Sequence, residues 1–246
     1  MRYKVTVAYD GSMYIGWQTQ NRNDSIEEAI EHVLKTMHGY EVAIVGSGRT
    51  DARVHAKGQV FHFDSNLDIA SERMVEALNA QLDKSIRIQQ VEQVDANFHA
   101  RFDACAKTYE YYLSQDTKNP FIRKYMGVDY HPMDLALMQQ ACQIFVGTHD
   151  FTSFTSTKIH PDKDRERTIY SFKVSQEGDV FHFQVRGNSF LRYMVRMMVQ
   201  TVIMVGKGKE SLESVQAMLT AKSKHACKYK AEPQGLYLTE VEYEEK

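Results

Sequence analysis

Cysteine is scarce in this chain, and its three representatives, Cys105, Cys142 and Cys227, are widely spaced. An odd, scattered set excludes a disulfide framework or a zinc knuckle, and a reducing cytoplasm is the expected home. Long apolar runs are missing as well. The greasiest stretch, 194–205, is interrupted by Arg196 and Gln200 and falls short of the roughly 18 residues a membrane helix needs, so no membrane partner is expected. The N-terminal MRYKVTVAYDG enters an alternating strand directly, without the apolar region of a signal peptide. With only four prolines, no proline-rich linker divides the chain. The ten histidines show neither HExxH nor Cys/His ligand spacing, so neither a metal nor a small-molecule cofactor is expected. An excess of positive charge is also lacking: the net charge is -2. That total counts against a polyanionic partner.

What is present modifies that last exclusion. Residues 180–209 carry Arg186, Arg192, Arg196, Lys207 and Lys209 without one acid, and residues 221–230 carry four lysines without one acid. Acids gather elsewhere, notably at Glu240, Glu242, Glu244 and Glu245. Solvated faces account for such runs, and so does a polarised surface that neutralises phosphates.

At 43% hydrophobic and 25% charged the chain has a globular composition. Tyr3, Val5, Val7 and Tyr9 share one side of a period-two strand. Ser25 followed by Glu28 predicts a helix start with a capping box, and Ile26, Ala29, Ile30, Val33, Leu34 and Met37 mark one face of that helix. Strands are expected at 42–45, 59–63 and 86–94, with a helix near 71–82. In the second half helices are expected near 134–145, from about 189 to 205 and near 212–219, with strands at 168–174, 180–185 and 236–243. The tetrapeptide Val-Phe-His-Phe occurs at both 60–63 and 180–183. This order predicts an α+β fold of two similar halves, a largely antiparallel sheet with helices on one face. The division is expected as 1–103, an N-terminal half carrying the loop described next, and 104–246, a C-terminal half completing the site.

That loop is the chemically distinctive segment, GSGRTDARVHAKGQV at 46–60. Its glycines let the backbone turn and let a ligand approach. Within 49–57 three basic residues surround one acid, Asp51, an arrangement that favours the ionised carboxylate a nucleophile or base requires. A structural salt bridge would use the same residues. No Gly-Lys-Ser/Thr follows, so a nucleoside-triphosphate site is excluded.

GRTDARVHAKGQV closely resembles GRTDAGVHA-x-GQV, the active-site motif of the TruA-type tRNA pseudouridine synthase family. YDGSMYIGWQTQ, FHARFDACAKTYEYYL, HDFTSF, NSFLRYMVRMMV and GLYL resemble its other blocks in the same order. The resemblance thus spans nearly the whole chain. It implies the pseudouridine synthase fold, an isomerase acting on uridines 38, 39 and 40 of the tRNA anticodon stem-loop, and a homodimer. It also implies roles: Asp51 as catalytic aspartate, Tyr109 packing on the target base, Arg49 helping to extrude the uridine, Arg196 pairing with the aspartate, and Leu236 lining the base pocket. Asp51 would either add to C1′ or remove a proton from C2′ to give a glycal, and the sequence leaves both open. The flipped uridine would cost a few kcal/mol, offset by stacking and basic contacts.

Arg53 departs from the family, which has glycine there. If the position needs φ > 0, arginine is strained; if not, it adds a phosphate contact. Asp103, Cys105 and Glu232 also depart, without removing a catalytic group. Two other classes compete: an RNA-binding module without turnover, which would lack Asp51 or Tyr109, and an aspartate-dependent nucleoside hydrolase, which would not need two basic stretches.

Overall fold

The computed structural model describes residues 1–19, 24–157 and 164–244. Gln20, the last residue of the GWQTQ block, and Glu245 of the acidic tail lie outside them. The chain forms two compact units, Met1–Cys105 with the terminal strand from Tyr237 onward, and Ala106–Leu236.

In the first unit, β1 (Arg2–Tyr9) alternates buried and half-buried residues along its whole length. It lies between β3 (His55–Asp64) and β4 (Ile86–Val94), antiparallel to both. The last strand, β10 (Leu236–Tyr243), adds to β3 in parallel, with Tyr237 opposite His55. Helix α1 (Ile26–His38) is capped as its sequence predicts: Ser25 Oγ accepts from Glu28 N–H at 3.2 Å. Gly39 closes it in the left-handed region at φ 78. Glu27 and Glu28 in the first turn and Lys35 and His38 in the last complement the helix dipole. A full capping box, with bonds in both directions, forms instead at Ser211 and Ser214. Helix α2 (Ser71–Gln81) is tied to β4 by one amide: Asn79 donates to Ile88 C=O at 2.8 Å and accepts from Ile88 N–H at 2.9 Å. Phe61 and Phe63 on β3 are fully buried, each contributing about 1.5–3 kcal/mol.

The expected strand at 42–45 shrinks to β2 (Val45–Gly46). Val42 and Ile44 are buried in extended chain, but Ile44 N–H is taken by Glu31 Oε1 at 3.1 Å. A side chain on α1 therefore replaces the sheet partner.

The second unit is an antiparallel sheet of β5 (Ala104–Ser114), β9 (Val180–Gly187), β8 (Glu166–Glu177) and β7 (Gly147–Asp150). The two-residue β6 (Gly127–Val128) adds to β5 in parallel. Phe181 and Phe183 are buried on β9 as Phe61 and Phe63 are on β3, but only on β9 does the residue between them stay half-buried. Helix α3 (Leu135–Ile144) starts at the Asp134 cap, and its Gln139 and Gln143 donate to β8 carbonyls at 3.2 and 3.3 Å. Helix α5 (Leu212–Thr220) follows α4 (Met194–Gly206). The latter begins five residues later than its periodicity predicts. Asn188 Oδ1 accepts from Ser189 N–H at 2.7 Å and Thr168 N–H at 3.0 Å, and Tyr193 sits at φ 69. A left-handed residue cannot continue a right-handed helix toward the N-terminus. Both units are thus α+β, and among the described residues no helix is long and apolar enough to cross a membrane.

Candidate active site

The Asp51 loop joins β2 to β3, two strands that pair antiparallel, and it is held on both sides. On its entering side Ser47 N–H donates to Val60 C=O at 2.7 Å. Ser47 Oγ donates to Gln59 Oε1 at 2.7 Å, and Gln59 Nε2 returns to Gly48 C=O at 3.0 Å. These polar groups are buried, where satisfied hydrogen bonds fix geometry most strongly. On the leaving side Val54 N–H closes a turn onto Asp51 C=O at 3.1 Å. Thr50, Val54 and His55 are buried, Asp51 is half-buried, and Arg49, Ala52 and Arg53 are exposed. The loop therefore presents one carboxylate between two guanidinium-bearing residues while its neighbours anchor it.

The brace comes from residues 9–17. Tyr9 hydroxyl bonds Thr50 Oγ1 at 2.8 Å, and burial pushes the Tyr9 phenol well above its ordinary pKa, so it stays protonated. Trp17 N–H donates to Thr50 C=O at 3.1 Å, and Arg53 N–H donates to Tyr14 C=O at 3.1 Å. Gly16 forms a bridge to Asp51 itself. It has φ +116, and a Cβ there would lie 2.6 Å from Thr50 C=O oxygen. A Cβ on Gly11 would lie 2.0 Å from Val54 C=O oxygen. The glycines of the YDG and GWQ blocks thus let backbone touch backbone behind the carboxylate.

His55 Nδ1 stands 3.1 Å from Gly11 N and 3.2 Å from Asp10 Oδ1. Only one of these contacts can be a hydrogen bond, since a ring nitrogen that accepts from Gly11 N–H has no proton for Asp10. The amide cannot accept, and Asp10 Oδ1 already takes Ser12 N–H at 2.9 Å, so we assign Nδ1 as acceptor. Tyr9, Asp10, Gly11, Gly16, Trp17 and Gln59 are the site residues that the sequence did not single out. Their only signal was membership of the YDG, GWQ and GQV blocks.

The remaining expected site residues belong to the second unit. Tyr109 on β5 is 8% exposed and meets Phe190 edge-on at 5.1 Å, so its ring is set by an aromatic neighbour. Arg196, in the first turn of α4, is 7% exposed. Its Nε–H donates to Ala231 C=O at 2.8 Å, and its guanidinium lies 5.5 Å from the Tyr193 ring. Leu236 is buried at the start of β10. The basic run at 180–209 is not wholly available to a ligand. Lys207 forms a close ion pair with Asp129 at 2.6 Å, and Arg186 lies over the Tyr170 ring at 4.9 Å.

Arg53 has φ 64, the left-handed region that costs a non-glycine residue about 1–2 kcal/mol. The backbone strain is thus observed, and it does not bear on what the exposed side chain meets. Arg53→Gly is therefore expected to raise the thermal midpoint by about 2–4 °C, the shift of roughly 1 kcal/mol in a chain of this size. A melting curve that is unchanged or lower would remove the strain.

The structure thus sets one carboxylate on a braced loop of an α+β chain, and among the described residues no group of side chains could hold a metal ion. A family profile described as tRNA pseudouridine synthase matches residues 5–103 and 141–244. The chain belongs to the tRNA pseudouridine synthase family. It is 47% identical over 243 residues to tRNA pseudouridine synthase A of Exiguobacterium sp. (strain ATCC BAA-1283 / AT1b), covering 99% of this chain and 98% of that one. It is 42% identical over 245 residues to tRNA pseudouridine synthase A of Geobacillus sp. (strain WCH70), covering 99% and 98%. A chain of a solved Cbf5-Nop10-Gar1 complex aligns with 96% of this chain and 48% of its own length, at 11% identity and a TM-score of 0.42, too distant to add to the assignment.

Proposed function

We propose that this chain isomerises uridine to pseudouridine in tRNA, at positions 38, 39 and 40 of the anticodon stem-loop, with Asp51 as the reacting carboxylate. The observation that carries this reading is the Asp51 loop itself: its backbone is tied to Tyr14, Gly16 and Trp17 in a chain of the pseudouridine synthase family.

The reaction breaks the bond from N1 of the uracil to C1′, turns the base and joins C5 to C1′. C5 loses a proton and N1 takes one up, so product and substrate are isomers and no redox partner or metal is called for. Asp51 serves either by adding to C1′ or by taking a proton from C2′. Arg49, exposed beside it, helps the uridine out of the stem. Tyr109 stacks on the freed base, Leu236 lines its pocket, and Arg196 pairs with Asp51, the roles the family resemblance implies. The enzyme works as a homodimer in the cytoplasm.

The test is a pseudouridine map of tRNA from cells with and without this protein. Loss confined to positions 38–40 is the expected result. Loss elsewhere in tRNA would overturn the positions, and no loss would overturn the function. Arg53, whose exposed side chain stands two residues from Asp51, contacts an RNA phosphate in this reading. Arg53→Gly should then also lower the salt dependence of tRNA binding by about one phosphate contact.

A further inference from the structure

The sheet of the first unit carries a hollow of about 710 Å³ whose wall includes Lys57, Lys84 and Arg87, and none of the roles given above uses it. Its shape follows from the strands. On β4 Ile86 and Ile88 are buried and Arg87 between them is exposed, so Arg87 stands on the opposite face of the sheet. Its register partner on β1 is Ala8, and Ala56 of β3 also lines the hollow. Ala8, Ser85 and Gln89 line the hollow beside the long basic side chains.

The charge is mounted on rigid parts. Lys57 Nζ lies over the Tyr237 ring at 5.3 Å, and that ring stacks on His55 at 4.7 Å and 19°. Lys84 comes from the tight turn before β4, where Asp83 Oδ1 accepts from Ser85 N–H at 2.8 Å and from its hydroxyl at 2.6 Å. Asp10 is the one acid of the wall among the described residues. Its Oδ1 is held by Ser12 N–H at 2.9 Å and Ser12 Oγ at 2.5 Å. Three cations thus face one hollow against one committed carboxylate. The hollow also adjoins the Asp51 loop, because Tyr9 of its wall bonds Thr50.

We propose that this hollow seats the sugar-phosphate backbone of the RNA substrate. The proposal rests on the reading of the chain as a tRNA-modifying enzyme, and adds where part of that RNA is held. A sugar-phosphate backbone fits this lining, which carries three cations against one carboxylate. The wall offers two ammonium point charges and one forked guanidinium, the groups that pair with phosphates.

The decisive measurement is the salt dependence of tRNA binding by the full chain and by a triple variant, Lys57→Gln, Lys84→Gln and Arg87→Gln. The slope of log K against log salt should fall by about 2–3, at roughly 0.7–0.9 per lost phosphate contact. Affinity near 0.1 M salt should drop on the order of tenfold or more, and the loss should fall on KM rather than kcat. Arg87→Lys alone should keep the slope. If the triple variant does not fold, Lys84→Gln and Arg87→Gln singly decide, each lowering the slope by roughly 0.7–0.9. A folded variant with unchanged slope and KM overturns the hollow as an RNA seat. That outcome is distinct from failure of the parent reading, which would show as a wild-type chain that makes no pseudouridine in tRNA.

Discussion

Asp51→Asn is expected to lower isomerisation at least about 10⁴-fold while tRNA binding stays largely intact. The amide has the shape of the carboxylate and can keep the loop's packing, but it can act as neither nucleophile nor base. The loop also has anchors other than that side chain. Its backbone is held by Tyr14, Gly16 and Trp17 and by the Val54–Asp51 turn, and its buried polar contacts run through Ser47 and Gln59. Single-turnover rates on purified tRNA, with binding measured in parallel, separate the two effects. Turnover by Asp51→Asn near that of the wild type would remove Asp51 from the chemistry. Loss of binding and rate together would make it a structural residue of the loop.

Gly16→Ala should be damaging as well, through a different cause. At φ +116 an L-residue is strained by about 1–3 kcal/mol, and its Cβ would meet Thr50 C=O oxygen at 2.6 Å. That neighbour is backbone and cannot swing away. Either the 9–17 segment or the Asp51 loop must move, so destabilisation of about 3 kcal/mol and a midpoint lowered by about 6–12 °C are expected. Activity should fall about 100-fold even well below the melting temperature, because displacing a reacting group by about 1 Å costs that much. A rate that recovers fully on cooling would reduce Gly16 to a residue of stability alone.

These two expectations differ in how far the sequence alone reaches. Asp51 was legible because its chemistry is local: one acid among three bases in a glycine-containing loop, inside a motif shared with a family. Gly16 was legible only as a letter in another block. Its purpose depends on Thr50 lying against it, a contact between residues 34 positions apart. The repeated Val-Phe-His-Phe, the Ser25 cap and the alternation of β1 were likewise legible, because each is decided within one turn of helix or a few residues of strand.

The elements that differ from expectation do so for tertiary reasons. Val42 and Ile44 have a strand's apolar pattern, yet Glu31 of α1 claims the amide a sheet would have used. Residues 189–193 have helical spacing, yet Asn188 is tied to β8 and Tyr193 turns left-handed. Lys207 read as part of a basic surface until Asp129, far away in sequence, took it.

By itself the sequence determined the α+β order of elements, the inward faces of the strands, and the loop with its single carboxylate. Periodicity, capping and local charge act over neighbouring residues and need no distant partner. Only the tertiary structure decided that Arg53 takes a strained backbone, that the YDG and GWQ glycines carry the Asp51 loop, and that the final strand joins β3. It also decided that Lys57, Lys84 and Arg87 share one hollow. Each of these depends on segments brought together by burial of the core, and one-dimensional patterns contain no distance between them.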